Sequence, residues 1–202
     1  MTSDVLTTLP VRSGHFLLES GYHTDVWLSL DLLFINPSSI APVVASLAER
    51  LRGHEFAAVC GPLLGGAFLA QALGTILGTA FYYTEPMTTS GETALFAAEY
   101  RLPPDLRRAV RGLRVAVVDD VISAGSSVRA TVAALGEAGA SIAVIGSLLT
   151  LGDVAVTHFA ACGVPLESLE RQDFTMWKPS DCPLCRDGVS LEDPRVQPGE
   201  ST

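Results

Sequence analysis

The feature that most constrains this chain is an alternation of short apolar runs with segments of helical length. Apolar runs of strand length occur at Phe56–Cys60, Thr79–Tyr83, Arg114–Val118 and Ser141–Leu149. Segments with a helical pattern lie at Ser38–Gly53, Ala67–Leu77 and Ser126–Gly139. Strands separated by helices of this length form parallel βαβ units, with helices on both faces of the sheet. The sequence therefore predicts an α/β domain with a central, mostly parallel sheet flanked by helices.

The ends of the first helix are marked by small and cyclic residues. Ser38 or Ser39 can serve as its N-cap, and Pro42 is tolerated in a first turn. Gly53 is the expected stop.

The rest of the chain divides around this predicted core. Residues 1–36 are predicted to form a hairpin or small flap, with turns at Gly14 and at Ser20-Gly21. The core is expected over 37–163, and the Pro-rich, acidic tail over 164–202 is expected to pack as an appendage, within one domain overall. Residues 84–104 form the longest stretch of weak periodicity, and a connection of that length in a compact domain is often functional.

Composition excludes several classes of protein. The chain is 48% apolar and 17% charged, which suits a globular protein with a buried sheet. A formal net charge of −9 argues against a nucleic-acid or anionic-membrane partner. No stretch has the length and apolarity of a transmembrane helix, and the N-terminus lacks the pattern of a secretory signal. The four cysteines do not form an obvious disulfide framework, so we expect a reducing, cytoplasmic location.

One motif combines features of a sugar-phosphate site. Val115–Ser127 reads VAVVDDVISAGSS: an apolar strand, two adjacent carboxylates, and a loop of small residues that opens a helix. Ligands of parallel α/β sheets bind beyond the carboxyl ends of the strands. The free N–H groups of the helix start and the hydroxyls of Ser123, Ser126 and Ser127 suit a phosphate. Asp119 and Asp120 suit the vicinal hydroxyls of a sugar, with Mg²⁺ nearby to offset their charge.

This motif resembles the phosphoribosyl-pyrophosphate signature of the type I phosphoribosyltransferases. The resemblance implies that fold and an Mg²⁺-dependent transfer of phosphoribose to a base nitrogen with loss of pyrophosphate. It assigns Asp119 and Asp120 to the ribose 2′ and 3′ hydroxyls. It assigns the 5′-phosphate to the loop formed by Ser123, Ala124, Gly125, Ser126 and Ser127.

Two further segments resemble the orotate phosphoribosyltransferases of pyrimidine biosynthesis. Gly14–Phe34 is similar to their N-terminal flap, and Trp27 there is a candidate to stack near the base. Val59–Gly74 is similar to their pyrophosphate loop, here Gly61, Pro62, Leu63, Leu64, Gly65 and Gly66. The resemblance also implies a homodimer.

The chain departs from this family where positive charge is needed. Glu55 through Tyr100 contains no Lys, Arg or His, although the family's mobile loop supplies cations to the departing pyrophosphate. Arg101, just past the loop, is the remaining candidate for that role. The family's flap lysine falls at Glu19, and Leu148–Asp153 lacks the substrate-binding arginine.

Three functions therefore stay open. Arg129 or Arg12 could hold an acidic base in place of the missing cations, which keeps orotate as the acceptor. Alternatively, the acceptor is an uncharged base, or the chain is a regulatory protein that binds phosphoribosyl pyrophosphate without turnover.

The last motif is Cys182-Pro-Leu-Cys185. This spacing is found in zinc sites, but a structural zinc needs four ligands. The pair would need Cys60, Cys162, His158 or a partner subunit's pair to complete a site, and two free thiols at a turn is the interpretation favoured by the sequence. His15, His23 and His54 are scattered along the chain and show no catalytic arrangement.

Overall fold

The computed structural model describes residues 11–87, 96 and 98–194. The strands are β1 (Val11–Leu17), β2 (His23–Leu28), β3 (Ala58–Pro62), β4 (Ala80–Pro86), β5 (Tyr100–Arg101), β6 (Arg114–Ile122), β7 (Ser141–Leu151) and β8 (Leu166–Gln172). The helices are α1 (Pro37–Leu51), α2 (Gly65–Leu77), α3 (Pro104–Ala109), α4 (Ser126–Glu137), α5 (Val154–Ala161) and α6 (Pro183–Arg186). Short 3₁₀ turns lie at Leu30–Phe34 and Pro179–Asp181.

A six-stranded sheet forms the centre, in the order β5-β4-β3-β6-β7-β8. All neighbouring pairs are parallel except β4 with β5. The predicted fold class is thereby confirmed. The four predicted strands and three predicted helices are present, with boundaries shifted by a few residues.

Side chains alternate between the two faces of the central strands, as the period of two in a β-strand requires. Val59, Ala116 and Val118 pack in a cluster with residues of α1 and α2. Cys60 and Val117 lie in a second cluster, together with residues of α4 and α5. Because both faces are covered, these strands are apolar throughout, which is the pattern found in the sequence.

The first helix begins earlier than predicted. Asn36 is the N-cap, and its side-chain oxygen accepts a hydrogen bond of 3.1 Å from the Ser38 backbone N–H. Pro37 takes the first helical position, where its missing N–H costs nothing. The predicted cap at Ser38 or Ser39 is therefore wrong, and Pro42 falls in the second turn.

The predicted N-terminal hairpin is confirmed over the residues described. Strands β1 and β2 are antiparallel, and Gly21 has the positive φ of 79° expected at a turn. Gly14 is not a turn: it lies inside β1, where the register shifts between Ser13 and Phe16.

The sheet extends into the segment predicted as a tail. Strand β8 pairs with β7 beyond residue 163, so the boundary predicted there falls before the last strand. The chain then returns to the hairpin, where His23 and Trp177 exchange backbone hydrogen bonds of 2.8 and 2.9 Å. Within residues 11–87, 96 and 98–194, none of the helices has the length and apolarity needed to cross a bilayer.

Candidate active site

The two adjacent aspartates lie in the last part of β6. The strand was predicted to end at Val118, but Asp119 still pairs with Ser147, and Ile122 with Thr150, in β7. Asp119 and Asp120 are each only 7% exposed. Asp119 Oδ1 accepts a 3.1 Å hydrogen bond from the Asp120 backbone N–H, and Asp120 Oδ1 accepts one of 2.8 Å from Val121. These bonds hold the two carboxylates in fixed directions at the carboxyl end of the sheet.

Burial has an electrostatic consequence at this position. The pKa of Asp119 is raised well above its usual range, mainly because burial disfavours the charged form. The neighbouring charge of Asp120 raises that pKa further, and Glu19 of the hairpin adds to the effect. A 2.8 Å hydrogen bond from Ser127 Oγ to Asp119 Oδ2 acts in the opposite direction. The acidic pair is therefore costly in the free protein, and a ligand that donates hydrogen bonds or carries positive charge would relieve that cost.

The glycine-rich segment at the end of β3 packs directly against this acidic pair. A Cβ added to Gly65 would collide with the Asp120 carboxylate, and one added to Gly66 would come within 2.7 Å of Asp119 Oδ1. A Cβ at Gly61 would collide with the Gly66 backbone. The peptide bond between Leu63 and Leu64 is cis. Helix α2 starts at Gly65, so the first backbone N–H groups of this helix lie beside the aspartates.

The loop that follows β6 leads into the start of α4. Gly125 is the N-cap residue, with a φ of 78° that favours glycine. Among the described residues, no side-chain hydrogen bond caps this helix start. Ser126 is 7% exposed, and its Oγ has no hydrogen-bond partner among the described residues. The buried Ser126 hydroxyl and the N–H groups of the helix start together form a set of donors suited to an anion.

A cavity of about 170 Å³ lies between this loop and the N-terminal hairpin. Its lining includes Ser123, Gly125, Ser126 and Ser127 from the loop region, Glu19 and Trp27 from the hairpin, and Leu151 and Phe174 from the far side. Glu19 is the charged side chain among the described residues that line it. Trp27, a predicted base-side residue, thus lies beside the predicted phosphate loop, whereas Phe174 lies in the acidic tail and gave no sequence signal.

Arg101, predicted to face the leaving pyrophosphate, lies in the short edge strand β5. Its Cα pairs with that of Glu85, and its Nε lies 3.7 Å from Glu85 Oε2. Next to Glu85, Thr84 accepts a backbone hydrogen bond from Leu63, so this edge adjoins the glycine-rich segment. The Arg101 side chain is 63% exposed and is held by an acidic partner. Most of the preceding loop, residues 88–95 and 97, lies outside the described residues.

The two other candidate arginines are not in the cavity lining. Arg129 is stacked over the ring of Phe96, with 4.2 Å between its Cζ and the ring centroid. Burial lowers the pKa of Arg129, and its Nε has no hydrogen-bond partner among the described residues. Arg12 instead binds both carboxylate oxygens of Glu192, at 2.8 and 3.0 Å. The structure therefore does not bring either predicted substitute cation to the cavity.

The cysteine pair has different neighbours from those the sequence named. Cys182 and Cys185 meet His15 and His23, and the cluster does not include Cys60, Cys162 or His158 among the described residues. The description of the histidines as scattered is thus wrong for His15 and His23, whose ring nitrogens lie 3.0 Å apart.

Known proteins resemble the chain in both sequence and fold. The family model of the phosphoribosyl transferase domain matches residues 35–155. An orotate phosphoribosyltransferase of Thermotoga petrophila is 34% identical over 187 residues, which cover 91% of each chain. One from Caldanaerobacter subterraneus subsp. tengcongensis is 30% identical over 94% of this chain and 90% of its own. The crystal structure of orotate phosphoribosyltransferase from Aeropyrum pernix, 28% identical, superposes with a TM-score of 0.60 and covers 80% of this chain and 87% of that one.

Proposed function

The chain belongs to the phosphoribosyl transferase family, and we propose that it is an enzyme of the orotate type. It transfers the 5-phosphoribosyl group from phosphoribosyl pyrophosphate to a base nitrogen. The bond between C1 of ribose and the pyrophosphate oxygen breaks, with the electron pair leaving on pyrophosphate. A new bond forms between C1 and the nitrogen of the base, and the proton carried by that nitrogen is released to solvent.

One observation carries this proposal. At adjoining strand ends, the backbone of Gly65 and Gly66 packs against the carboxylates of Asp120 and Asp119. Ser126 is the first residue of α4, and its hydroxyl has no hydrogen-bond partner among the residues that the structure describes. Donors for two phosphate groups thus flank acceptors for sugar hydroxyls, which is the chemistry of a sugar bearing a phosphate at one end and a diphosphate at the other.

The residues of the chain divide the substrate between them. Asp119 and Asp120 accept hydrogen bonds from the ribose 2′ and 3′ hydroxyls, with carboxylate directions fixed by their backbone bonds. The loop of residues 123–127 holds the 5′-phosphate through its N–H groups and hydroxyls. Residues 61–66 hold the pyrophosphate through backbone N–H groups. Because both ends of the substrate are held, its C1 is kept in place for attack by the base.

Mg²⁺ is part of the proposal. It would be held mainly by the substrate's diphosphate oxygens, with the oxygens of Asp119 and Asp120 as the nearby protein groups. The buried like-charged pair, with its raised Asp119 pKa, fits a cation beside it, and carboxylate oxygens suit this ion. When bound, the ion neutralises charge on the departing pyrophosphate.

The protein supplies little other positive charge to the leaving group. Glu55 through Tyr100 has no cationic residue, and Arg101 is paired with Glu85. We propose that Arg101 exchanges Glu85 for the pyrophosphate when substrate binds, since a diphosphate carries more negative charge than one carboxylate. Replacement of Arg101 by Gln should therefore slow pyrophosphate release while leaving the affinity for the 5′-phosphate end intact.

The acceptor is the point at which the chain differs most from the family pattern. The cavity beside the phosphate loop has Glu19 as the charged residue in its described lining. A negative side chain there disfavours an acidic base and favours an uncharged one. Orotate remains the proposed acceptor because the chain is similar to orotate phosphoribosyltransferases. An uncharged base is the second candidate, because the cavity lining favours it.

Pyrophosphate release is the experiment that tests the proposal. The purified chain receives Mg²⁺ and phosphoribosyl pyrophosphate with orotate, uracil, adenine, hypoxanthine or buffer alone. Release that depends on orotate supports the orotate type. Release only with a neutral base would keep the transferase and change its acceptor. If no mixture releases pyrophosphate while substrate binding is intact, the chain is a regulatory protein that senses phosphoribosyl pyrophosphate. The cation-free loop favours this alternative.

A homodimer and a cytoplasmic location complete the proposal. Large apolar side chains lie exposed around α1 and α2: Ile35 is 72% exposed, Leu64 62% and Phe68 48%. A groove of about 410 Å³ beside them is lined by Phe34, Ile40 and Ile76, among others. A second copy is the proposed cover of this face. Light scattering after size exclusion should give twice the chain mass for the wild type and one chain mass for Phe68→Glu.

A further inference from the structure

Four potential metal ligands from the two ends of the chain meet beneath the N-terminal hairpin. His15 lies in β1 and His23 in β2, while Cys182 immediately precedes α6 and Cys185 lies within it. Their ligand atoms all lie within 4.8 Å of one another. We call these four residues the histidine–cysteine cluster. It lies outside the candidate active site and has no part in the proposed reaction.

The distances within the cluster approach those of a tetrahedral site. His15 Nε2 and His23 Nδ1 are 3.0 Å apart. Cys182 Sγ lies 3.4 Å from His15 Nε2, and Cys185 Sγ lies 3.3 Å from His23 Nδ1. Zinc bonds of about 2.3 Å to sulfur and about 2.0–2.1 Å to nitrogen give tetrahedral edges of roughly 3.3–3.8 Å. These distances differ from the tetrahedral edges by about 0.3 Å or less, and the ligand atoms that lie farthest apart, within 4.8 Å, would move closer by up to about 1 Å around an ion.

The hydrogen bonding of His15 prepares it to bind a metal. Its Nδ1 lies 2.8 Å from the backbone carbonyl oxygen of Val189, which can only accept, so Nδ1 carries the proton and donates. Nε2 is then left with a lone pair that points toward His23 and both sulfurs. A metal-binding histidine commonly has its second nitrogen held by a carbonyl or carboxylate in this way.

Burial and charge also suit a resident ion. His15, His23 and Cys182 are 3%, 5% and 4% exposed, so solvent is largely kept from three of the four ligands, while Cys185 is exposed. Two neutral imidazoles and two thiolates carry two negative charges, which a divalent cation neutralises. Four protein ligands leave no open position, which is the mark of a structural site. Two nitrogen and two thiolate ligands select Zn²⁺ over the oxygen-seeking Mg²⁺.

We propose that the histidine–cysteine cluster binds one Zn²⁺ that joins the N-terminal hairpin to the C-terminal segment. Backbone hydrogen bonds already connect these parts: Leu17 N–H donates to Glu192, and Glu192 N–H donates to His15. The same hairpin supplies Glu19 and Trp27 to the cavity beside the phosphate loop. The ion thus stabilises the element that forms one wall of that cavity.

Metal content of the intact chain is the first test. The protein is expressed in zinc-supplemented medium, freed of any histidine tag, desalted, and analysed by inductively coupled plasma mass spectrometry. We expect about one zinc per chain in the wild type. Cys185→Ser should lose most of it, whereas Cys162→Ser, which removes an exposed thiol outside the cluster, should keep it. Absence of stoichiometric metal from the wild type, or full zinc retention in Cys185→Ser, would overturn the proposal.

A second measurement on the wild type does not depend on variants that fold. The chain is stripped of metal under reducing conditions and titrated with Co²⁺, and its absorption spectrum is recorded. Thiolate-to-cobalt charge-transfer bands with intense visible bands are expected at one equivalent, and Zn²⁺ should abolish them. A spectrum of hexahydrated cobalt would contradict the proposal. A Cys182–Cys185 disulfide in freshly purified protein, seen as a loss of about two mass units on intact-mass analysis, would contradict it also.

Discussion

Among the described residues, two groups of closely spaced ionisable side chains differ in what surrounds them. The acidic pair, Asp119 and Asp120, places two like charges side by side in a strand, and burial raises the Asp119 pKa. The histidine–cysteine cluster places two imidazoles and two thiols, which carry no charge in their neutral forms, within 4.8 Å of one another. The acidic pair opposes the folded state when both carboxylates are charged, whereas the charge of the cluster's two thiolates is neutralised by the ion proposed there.

We attribute this difference between the two groups to the time for which each one's ligand stays bound. A substrate site must be formed before its ligand arrives, so it keeps costly groups in the free protein and recovers their cost on binding. A structural ion stays bound, so its ligands can depend on it for stability. In this protein the acidic pair should lower the stability of the free chain and raise its affinity for the substrate. The metal site should raise stability without contacting the substrate.

The largest expected effect concerns the acidic pair. Replacing Asp119 and Asp120 together by Asn should weaken binding of Mg²⁺-phosphoribosyl pyrophosphate roughly 100-fold or more, because hydrogen bonds to charged acceptors contribute about 1.5–3 kcal/mol each. The same double variant should melt at a higher temperature without ligand, since the like charges are gone. Calorimetric titration measures the affinity, and a thermal scan measures the melting temperature. Normal binding by the double variant would contradict the role assigned to the acidic pair.

Removing the metal should lower the stability of the chain, whereas replacing the acidic pair should raise it. Stripping the chain with a chelator should lower Tm by about 5 °C or more, since about 1 kcal/mol corresponds to about 2–4 °C in a chain of this size. Re-addition of Zn²⁺ should restore Tm. Cys162→Ser, measured in parallel, should respond to the chelator as the wild type does. A chelator-insensitive Tm would remove the stabilising role assigned to the cluster.

The glycine contacts provide a smaller effect with a matched control. Gly65→Ala places a methyl group on the Asp120 carboxylate and should weaken substrate binding about tenfold, with a loss of about 1–3 kcal/mol in stability from overpacking. Gly136→Ala, in the exposed part of α4 with nothing within 4 Å, should leave binding unchanged and raise stability by up to about 1 kcal/mol. Equal behaviour of the two variants would contradict the close approach at Gly65.

The smallest effect is on pH dependence. Because the folded pKa of Asp119 is raised, the folded state binds this proton more tightly than the unfolded state. The free energy of unfolding should therefore fall as pH rises from about 4 through the folded pKa. Subtracting the profile of Asp119→Asn isolates this contribution from those of other carboxylates. A difference between the two profiles that stays flat above pH 4 would show that the carboxylate is not perturbed.

The site around the acidic pair could be predicted from the sequence because all its parts are contiguous in the chain. Nine residues of β6 and the following loop carry the strand, the carboxylates and the helix start, so local pattern predicts their proximity. Strands β3 and β6 are parallel neighbours whose carboxyl ends lie at the same edge of the sheet, so Gly65, just after β3, lies against Asp120 of β6. Even so, the strand end was misplaced, since aspartates inside a strand contradict β-propensity and are retained here by pairing with β7.

The histidine–cysteine cluster was not predictable in the same way. His15 and Cys182 are 167 positions apart, and they meet only because the chain returns to the hairpin after β8. That strand was itself missed, because LESLERQ is a polar edge strand with Ser168 as its buried residue. The available signal was weak: a Cys-x-x-Cys pair, and two histidines whose strands form one hairpin.

A crystal structure of the chain with Mg²⁺ and phosphoribosyl pyrophosphate would show which residues bind each part of the substrate. We predict the ribose hydroxyls on Asp119 and Asp120, the 5′-phosphate on residues 123–127 with a hydrogen bond from Ser126 Oγ, and the diphosphate on the backbone of residues 61–66. A ligand bound elsewhere, or bound with its ribose hydroxyls away from both aspartates, would contradict this prediction.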